Sequence, residues 1–186
     1  GRGVGGDQGE RVIGGGGGSV VLSVRPRGAA GGVIEWDGQQ LGAWQSEIDG
    51  ADVVIKLTGR SVNCRYSNRN RQEIMQSRTH STRVVGQAIA QANRPPRVWL
   101  QASTATIYAH RFHGPNDENS GIIGGEEHGV PETWRFSIEV AKAWERAVEA
   151  AETPLAREVK LRSASGRSPE GGGQAVTLAA TCRLGT

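Results

Sequence analysis

Cysteine is nearly missing from this chain: Cys64 and Cys182 are the only two, and neither has a neighbour at metal-ligand spacing. That leaves no disulfide framework and no thiolate metal site to organise a fold, and it fits a reducing compartment. No stretch approaches the roughly 18 to 20 continuous apolar residues of a membrane span. No charged-then-apolar signal peptide opens the chain, which begins with Gly1. A basic stripe with interleaved aromatics is missing too. The 22 Lys and Arg residues stand against 19 Asp and Glu, the net charge is +3, and both signs are scattered. A nucleic-acid groove is therefore not expected. These absences predict a soluble, cytoplasmic protein with no membrane and no nucleic-acid partner.

Glycine is what the chain has in excess, 28 of 186 residues, and the first 32 positions hold a large share. Residues 1–18 read GRGVGGDQGERVIGGGGG and contain Gly3-x-x-Gly6-x-x-Gly9. Such spacing cradles a diphosphate when a strand precedes it and a helix follows. Here the would-be helix Glu10 to Ile13 runs into Gly14–Gly18, and each glycine costs about 1 kcal/mol in a helix. The segment 1–18 is expected to be flexible, and an ordered unit is expected from 19 to 186.

Within that unit strands and helices alternate. Val20-Val21-Leu22, Val33-Ile34-Glu35-Trp36 and Val53-Val54-Ile55-Lys56-Leu57 are strands, and Leu41 to Ile48 fits a short helix. Residues 69 to 92 predict a long helix with Ile74, Val85, Ala88, Ile89 and Ala92 on one face. Pro131-Glu132 opens a second, with Phe136, Val140, Trp144, Ala147 and Ala151 in phase, and Thr153-Pro154 stops it. Glu158 to Leu161 is a last strand candidate, after which the tail drifts into Gly171-Gly172-Gly173. The alternation predicts an α/β fold with a mainly parallel sheet.

The informative stretch is Arg97 to Tyr108. Pro95-Pro96 ends the preceding helix, Val98 to Leu100 is a short apolar run, and Ser103-Thr104 follow at once. A second strand ends the same way, at Thr58-Gly59. Ligands of open α/β sheets sit beyond the carboxyl ends of the strands. Taken alone, the hydroxyls of the Arg97–Tyr108 stretch serve equally as caps of the next turn; two such ends favour a site. Tyr108 either lines that pocket or packs beneath the following loop. His110-x-x-His113 with Glu126, Glu127 and His128 lies in a polar loop and reads as solvated rather than metal-binding. Lys142 reads as part of a solvated helix face, and Cys64, near Arg60 and Arg65, as a quiet loop thiol.

Four strings carry a resemblance: Leu57-Thr58-Gly59-Arg60-Ser61-Val62-Asn63-Cys64-Arg65-Tyr66, Ser77-Arg78-x-x-Ser81-Thr82, Gln101 to Tyr108, and Trp144-Glu145. Together they resemble the atypical extended short-chain dehydrogenase/reductases, the NAD-dependent epimerase/dehydratase-like family whose members carry a C-terminal domain of unknown function. The resemblance runs from about Val20 to Ser163. It implies a Rossmann-like, doubly wound domain, incomplete at the N-terminus, that takes NADP or NAD as cofactor and an unknown small molecule as substrate. By position, Leu57, Thr58 and Gly59 would pass under the adenosine and ribose. Ser23 and Arg25 would meet a 2′-phosphate, Ser103 would line the cofactor, and Thr104, with Tyr108, would be catalytic.

The same resemblance exposes two departures. The Tyr-x-x-x-Lys pair that exchanges the proton in this chemistry is replaced by Phe136 and Val140. The glycine-rich phosphate turn is not recognisable, and the C-terminal substrate domain is expected to be absent. The expectation is an epimerase/oxidoreductase-like chain, truncated and weakly active or inactive. The alternative is a non-catalytic nucleotide-binding or regulatory protein.

Overall fold

In the computed structural model, residues 20–23, 33–111, 114, 116–119, 121–167 and 174–182 are described. Strand β1 (Val21–Ser23) pairs in parallel with β2 (Val33–Glu35). A separate sheet has the order β3 (Val53–Lys56), β4 (Val98–Thr104), β5 (Arg157–Arg167) and β6 (Gln174–Cys182). In it β3, β4 and β5 are parallel and β6 returns antiparallel. Strands β3 and β4 are direct neighbours: Val53 lies opposite Val98, and Lys56 opposite Gln101. This is the mainly parallel, Rossmann-like α/β arrangement anticipated from the alternation of strands and helices.

Two helices cover the larger sheet. Helix α1 (Asn68–Gln91) begins where the Ser67 hydroxyl accepts the Asn70 N–H at 3.3 Å, which satisfies one of the free donors of the first turn. It ends at Ala92, whose extended backbone leads to Pro95-Pro96. Helix α2 (Glu132–Glu149) starts behind Pro131, whose fixed φ suits that place and whose missing N–H costs nothing there. Ile74, Val85, Ala88 and Ile89 of α1 are buried, as are Phe136, Val140, Trp144 and Ala147 of α2. The faces expected from helical spacing are the ones that pack.

Strand β4 alternates strictly, with Trp99, Gln101 and Ser103 buried and their neighbours half-buried. Trp99 sits with Val54, Val85, Ile89 and Val148 in the main core, which Leu22, Trp36, Trp44 and Ile48 join from the first part of the chain. The two sheets therefore share one apolar interior without sharing hydrogen bonds among the described residues.

Three details differ from the sequence reading. The short helix predicted over Leu41–Ile48 is a 3₁₀ helix at Ala43–Glu47. Strand β5 runs well beyond Glu158–Leu161, to Arg167, and strand β6 was not anticipated at all. Both follow from one cause. The antiparallel partnership of β5 and β6 pairs Val159 with Cys182 and Arg167 with Gln174, extending a strand whose own composition there is Ser, Ala, Ser, Gly. Long-range pairing overrides weak local preference.

Candidate functional site

Because β3, β4 and β5 run the same way, their carboxyl ends open on one edge, where an open α/β sheet holds its ligands. At the end of β3, Thr58 is fully buried and its hydroxyl lies 3.1 Å from that of Ser81 on α1. Lys56 is buried as well. Its ammonium donates to the Thr58 carbonyl at 3.3 Å and lies 5.2 Å from the centre of the Trp144 ring. Leu57 is half-exposed. Gly59 follows, and a Cβ there would stand 2.9 Å from the guanidinium carbon of Arg78, so any side chain at this position would have to displace that arginine. That same guanidinium donates to the Arg60 carbonyl at 3.0 Å and lies 5.1 Å from the Trp144 ring centre.

The end of β4 is built differently. Ser103 lies opposite Arg162 and Thr104 opposite Ser163 on β5. The Ser103 hydroxyl donates to Glu145 Oε1 at 2.6 Å. Arg162 grips the same carboxylate with two prongs, Nε to Oε1 at 2.8 Å and Nη2 to Oε2 at 2.7 Å. Its third nitrogen, Nη1, donates to the Tyr108 hydroxyl at 2.9 Å, and the guanidinium lies 5.0 Å from the Tyr108 ring centre. Both charged side chains are buried, Glu145 to 6% and Arg162 to 11% of full exposure. A forked, charge-assisted pair is the geometry that offsets such desolvation.

Burial alone would raise the Glu145 carboxyl. The hydrogen bonds from Arg162 and Ser103, with the charges of Arg162 and Lys160, outweigh it and hold the group below the usual carboxylate range. The bond to Glu145 drives Arg162 the other way, further above its ordinary value, with burial opposing. The pair stays ionised.

Thr104 points its hydroxyl into the next turn. It accepts the Thr106 N–H at 3.2 Å and lies 2.8 Å from the Thr106 hydroxyl, so it caps the 3₁₀ helix Ala105–Ile107. Tyr108 then packs under the loop that follows. Ala109 and Gly124 exchange backbone bonds across it with Ile122 and Ile107, and a Cβ on Gly121 would collide with the Tyr108 ring at 2.3 Å. The two readings of Tyr108 thus meet in one residue: ring beneath the loop, hydroxyl in the polar cluster.

The structure brings Ser103, Thr104 and Tyr108 to one edge and puts Leu57, Thr58 and Gly59 at the neighbouring strand end. Ser23 ends β1 in the other sheet, buried, with its carbonyl accepting the Trp36 N–H. Arg25, the segment 1–18 with its Gly3-Gly6-Gly9 spacing, His113, and Gly171–Gly173 lie outside the described residues. His110 faces the Trp134 ring at 5.5 Å, and Glu127 Oε1 accepts its backbone N–H at 3.2 Å. No group of three or more His, Cys, Asp or Glu among the described residues could hold a metal ion.

Sequence reading missed Arg162 and gave Glu145 no role. The available signal was for Glu145 alone, a charge that helical spacing sets on the same side as Ala141 and Val148.

No protein-family model matches the chain. An epimerase family protein of Staphylococcus saprophyticus is 29% identical over 129 residues, 69% of this chain and 40% of that protein. The resemblance to the epimerase family stands. The human epimerase family protein SDR39U1, solved with NADPH, superposes with a TM-score of 0.63 at 24% identity, covering 84% of this chain and 48% of its own. A nucleoside-diphosphate sugar epimerase from Corynebacterium glutamicum superposes with a TM-score of 0.59 at 22% identity, over 82% of this chain and 29% of its own. At these identities the solved structures establish the epimerase-like fold. The chain spans less than half the length of each of these proteins. No helix among the described residues is long and apolar enough to cross a membrane.

Proposed function

We propose that this chain binds NADP or NAD along the shared carboxyl edge of β3, β4 and β5 and acts as the dinucleotide-binding unit, residues 19–186, of an epimerase or oxidoreductase. The observation that carries this is the register of parallel β3 and β4, which sets Thr58-Gly59 and Ser103-Thr104 at neighbouring carboxyl ends, with Ser163 of parallel β5 opposite Thr104. The residues fit the group. Gly59 gives a bare backbone edge beside the Arg78 guanidinium, and the buried hydroxyls of Ser103 and Tyr108 meet charge within the protein rather than water. Leu57, Thr58 and Gly59 take the adenosine and ribose edge through their backbone, and Ser103 and Thr104 take the nicotinamide end. Ser23 and Arg25 are the residues assigned to a 2′-phosphate. The cofactor, when bound, supplies hydride chemistry. SDR39U1, similar in fold, was solved with NADPH.

Turnover in this reading is weak. The positions that would hold the Tyr-x-x-x-Lys pair are Phe136 and Val140, both buried with Ile74 in an apolar cluster. That observation also favours the second reading, a nucleotide-binding protein without strong chemistry of its own. The test is calorimetric titration with NADPH and NADH. Dissociation constants in the high micromolar range are expected, roughly 5 kcal/mol of binding. NADPH should bind the more tightly, and Arg25→Ala should remove the preference. No binding of either cofactor at millimolar concentration overturns the assignment.

A further inference from the structure

We propose that Arg162, anchored on Glu145, is a positioning residue that holds the Tyr108 hydroxyl so that its proton is presented to an oxygen atom of the bound substrate, a carbonyl or a sugar-type hydroxyl. The proposal rests on the cofactor reading above and deepens it.

The geometry is specific. Tyr108 is 5% exposed, yet its hydroxyl oxygen is an acceptor, taking the Arg162 Nη1 proton at 2.9 Å. Its own O–H has no acceptor among the described residues. A buried donor left open costs free energy unless something arrives to accept it. Arg162 cannot swing away to relieve the cost, because Glu145 holds two of its three nitrogens and Ser103 holds Glu145 from the other side. The chain Ser103–Glu145–Arg162–Tyr108 therefore fixes the phenol from β4, α2 and β5 at once. A fixed cation beside a phenol is the arrangement that a lysine provides in a Tyr-x-x-x-Lys pair. Here the cation comes from a strand, and the phenol from the turn after β4. The group presented to the phenol must accept a hydrogen bond, which selects an oxygen-bearing ligand over an apolar one.

The chain has two tyrosines, so Tyr66→Phe leaves Tyr108 as the single source of a resonance from tyrosine labelled at Cζ. In that protein the resonance should move when NADP⁺ and phenanthrenequinone, a carbonyl probe, are added together. It should also move when Arg162 and Glu145 are replaced jointly by Arg162→Met and Glu145→Gln, a pair chosen so that no buried charge is left alone. After that double replacement the probe should no longer shift it, and Arg162→Lys alone should restore part of the response. With NADPH in place of NADP⁺, Tyr108→Phe should slow quinone reduction by about 100-fold and leave the NADPH dissociation constant within twofold. A resonance indifferent to the probe in a protein that binds NADP⁺ overturns the proposal and makes the cluster a structural staple. So does a Tyr108→Phe protein with the wild-type rate, or a wild-type protein that binds NADPH and reduces no quinone. Failure to bind either cofactor sinks the cofactor reading instead, and calorimetry separates that result from the others.

Discussion

From Phe136 to Val140, helix α2 puts hydrocarbon into the protein: Phe136 meets the Tyr66 ring edge-on at 5.7 Å, and Val140 packs with it around Ile74. From Trp144 to Glu149 the same helix puts hydrogen-bonding groups there. The Trp144 indole donates to Thr82 at 3.0 Å, Glu145 takes Ser103 and Arg162, and Glu149 takes Lys160 at 2.5 Å. One turn of helix separates a stretch that could be exchanged for other apolar residues of similar volume from one in which Trp144, Glu145 and Glu149 each bond to another element. The difference teaches where to look for chemistry in this chain. Helical phase placed Phe136, Val140 and Trp144 on one buried stripe, but only the second half of it carries buried hydrogen-bonding groups.

The largest effect should come from breaking the charged half. Glu145→Ala leaves Arg162 without its counter-charge, and removing one member of a buried pair costs about 3 kcal/mol, the low end for such pairs because Arg162 keeps 11% of its side-chain exposure and its bond to Tyr108. Replacing both, as Glu145→Gln with Arg162→Met, should recover most of that loss. Denaturant unfolding of the three proteins measures it, and equal stability of the single and double variants would show the cluster to be unimportant for folding.

Acid sharpens the same contrast. The folded-state pKa of Glu145 is depressed below its ordinary value of 4.5. Its contribution to stability is therefore complete above about pH 4.5 and is lost as pH falls below that value and through the folded pKa. Thermal melts should show a steeper decline below pH 4.5 in the wild type than in the Glu145→Gln, Arg162→Met double variant. Parallel curves would mean that the cluster is not what acid attacks.

The apolar half should respond more mildly. Phe136→Leu keeps the volume class and loses the edge-on contact with Tyr66 and the guanidinium of Arg71, 5.0 Å from the ring centre. A loss of about 1 kcal/mol is expected, with cofactor binding unchanged. A change in NADPH affinity of more than about twofold, under 0.5 kcal/mol, would place Phe136 at the site and erase the distinction between the halves.

Much of this was legible in the residues. Both helices and their buried faces follow from periodicity and from Pro95-Pro96 and Pro131, while the parallel neighbours β3 and β4 follow from the family resemblance. The proposed carboxyl-edge site rests on two strands that end in hydroxyls. What stayed hidden has physical causes. Strand β6 and the second half of β5 exist through pairing with each other, and no local pattern announces a partner. Arg162 looked like one more arginine among many in a chain with 22 basic residues. Its role appears only when β5 lies beside β4 in the register that sets it opposite Ser103. Thr58 and Ser103 looked alike in sequence, and the structure separates them: one bonds to a hydroxyl on α1, the other to a charged pair.

That separation yields the smallest predicted effect. In Thr58→Val the shape of the side chain is kept and the bond to Ser81 is lost. Ser81 does not become an orphan, because its hydroxyl also donates to the Ser77 carbonyl at 2.6 Å. The usual penalty for a stranded buried donor is therefore avoided, and the cost should stay below about 1 kcal/mol. If Leu57, Thr58 and Gly59 serve the adenosine edge through their backbone, removing the Thr58 hydroxyl should also leave NADPH affinity within about twofold, under 0.5 kcal/mol. Ser103→Ala should behave otherwise, since it takes a hydrogen bond from the carboxylate that anchors Arg162 and disturbs Tyr108 behind it. Calorimetry and denaturant unfolding on the two variants side by side decide the matter. A tenfold loss of NADPH binding in Thr58→Val would mean that the cofactor touches the hydroxyl itself, and that the two strand ends do the same work.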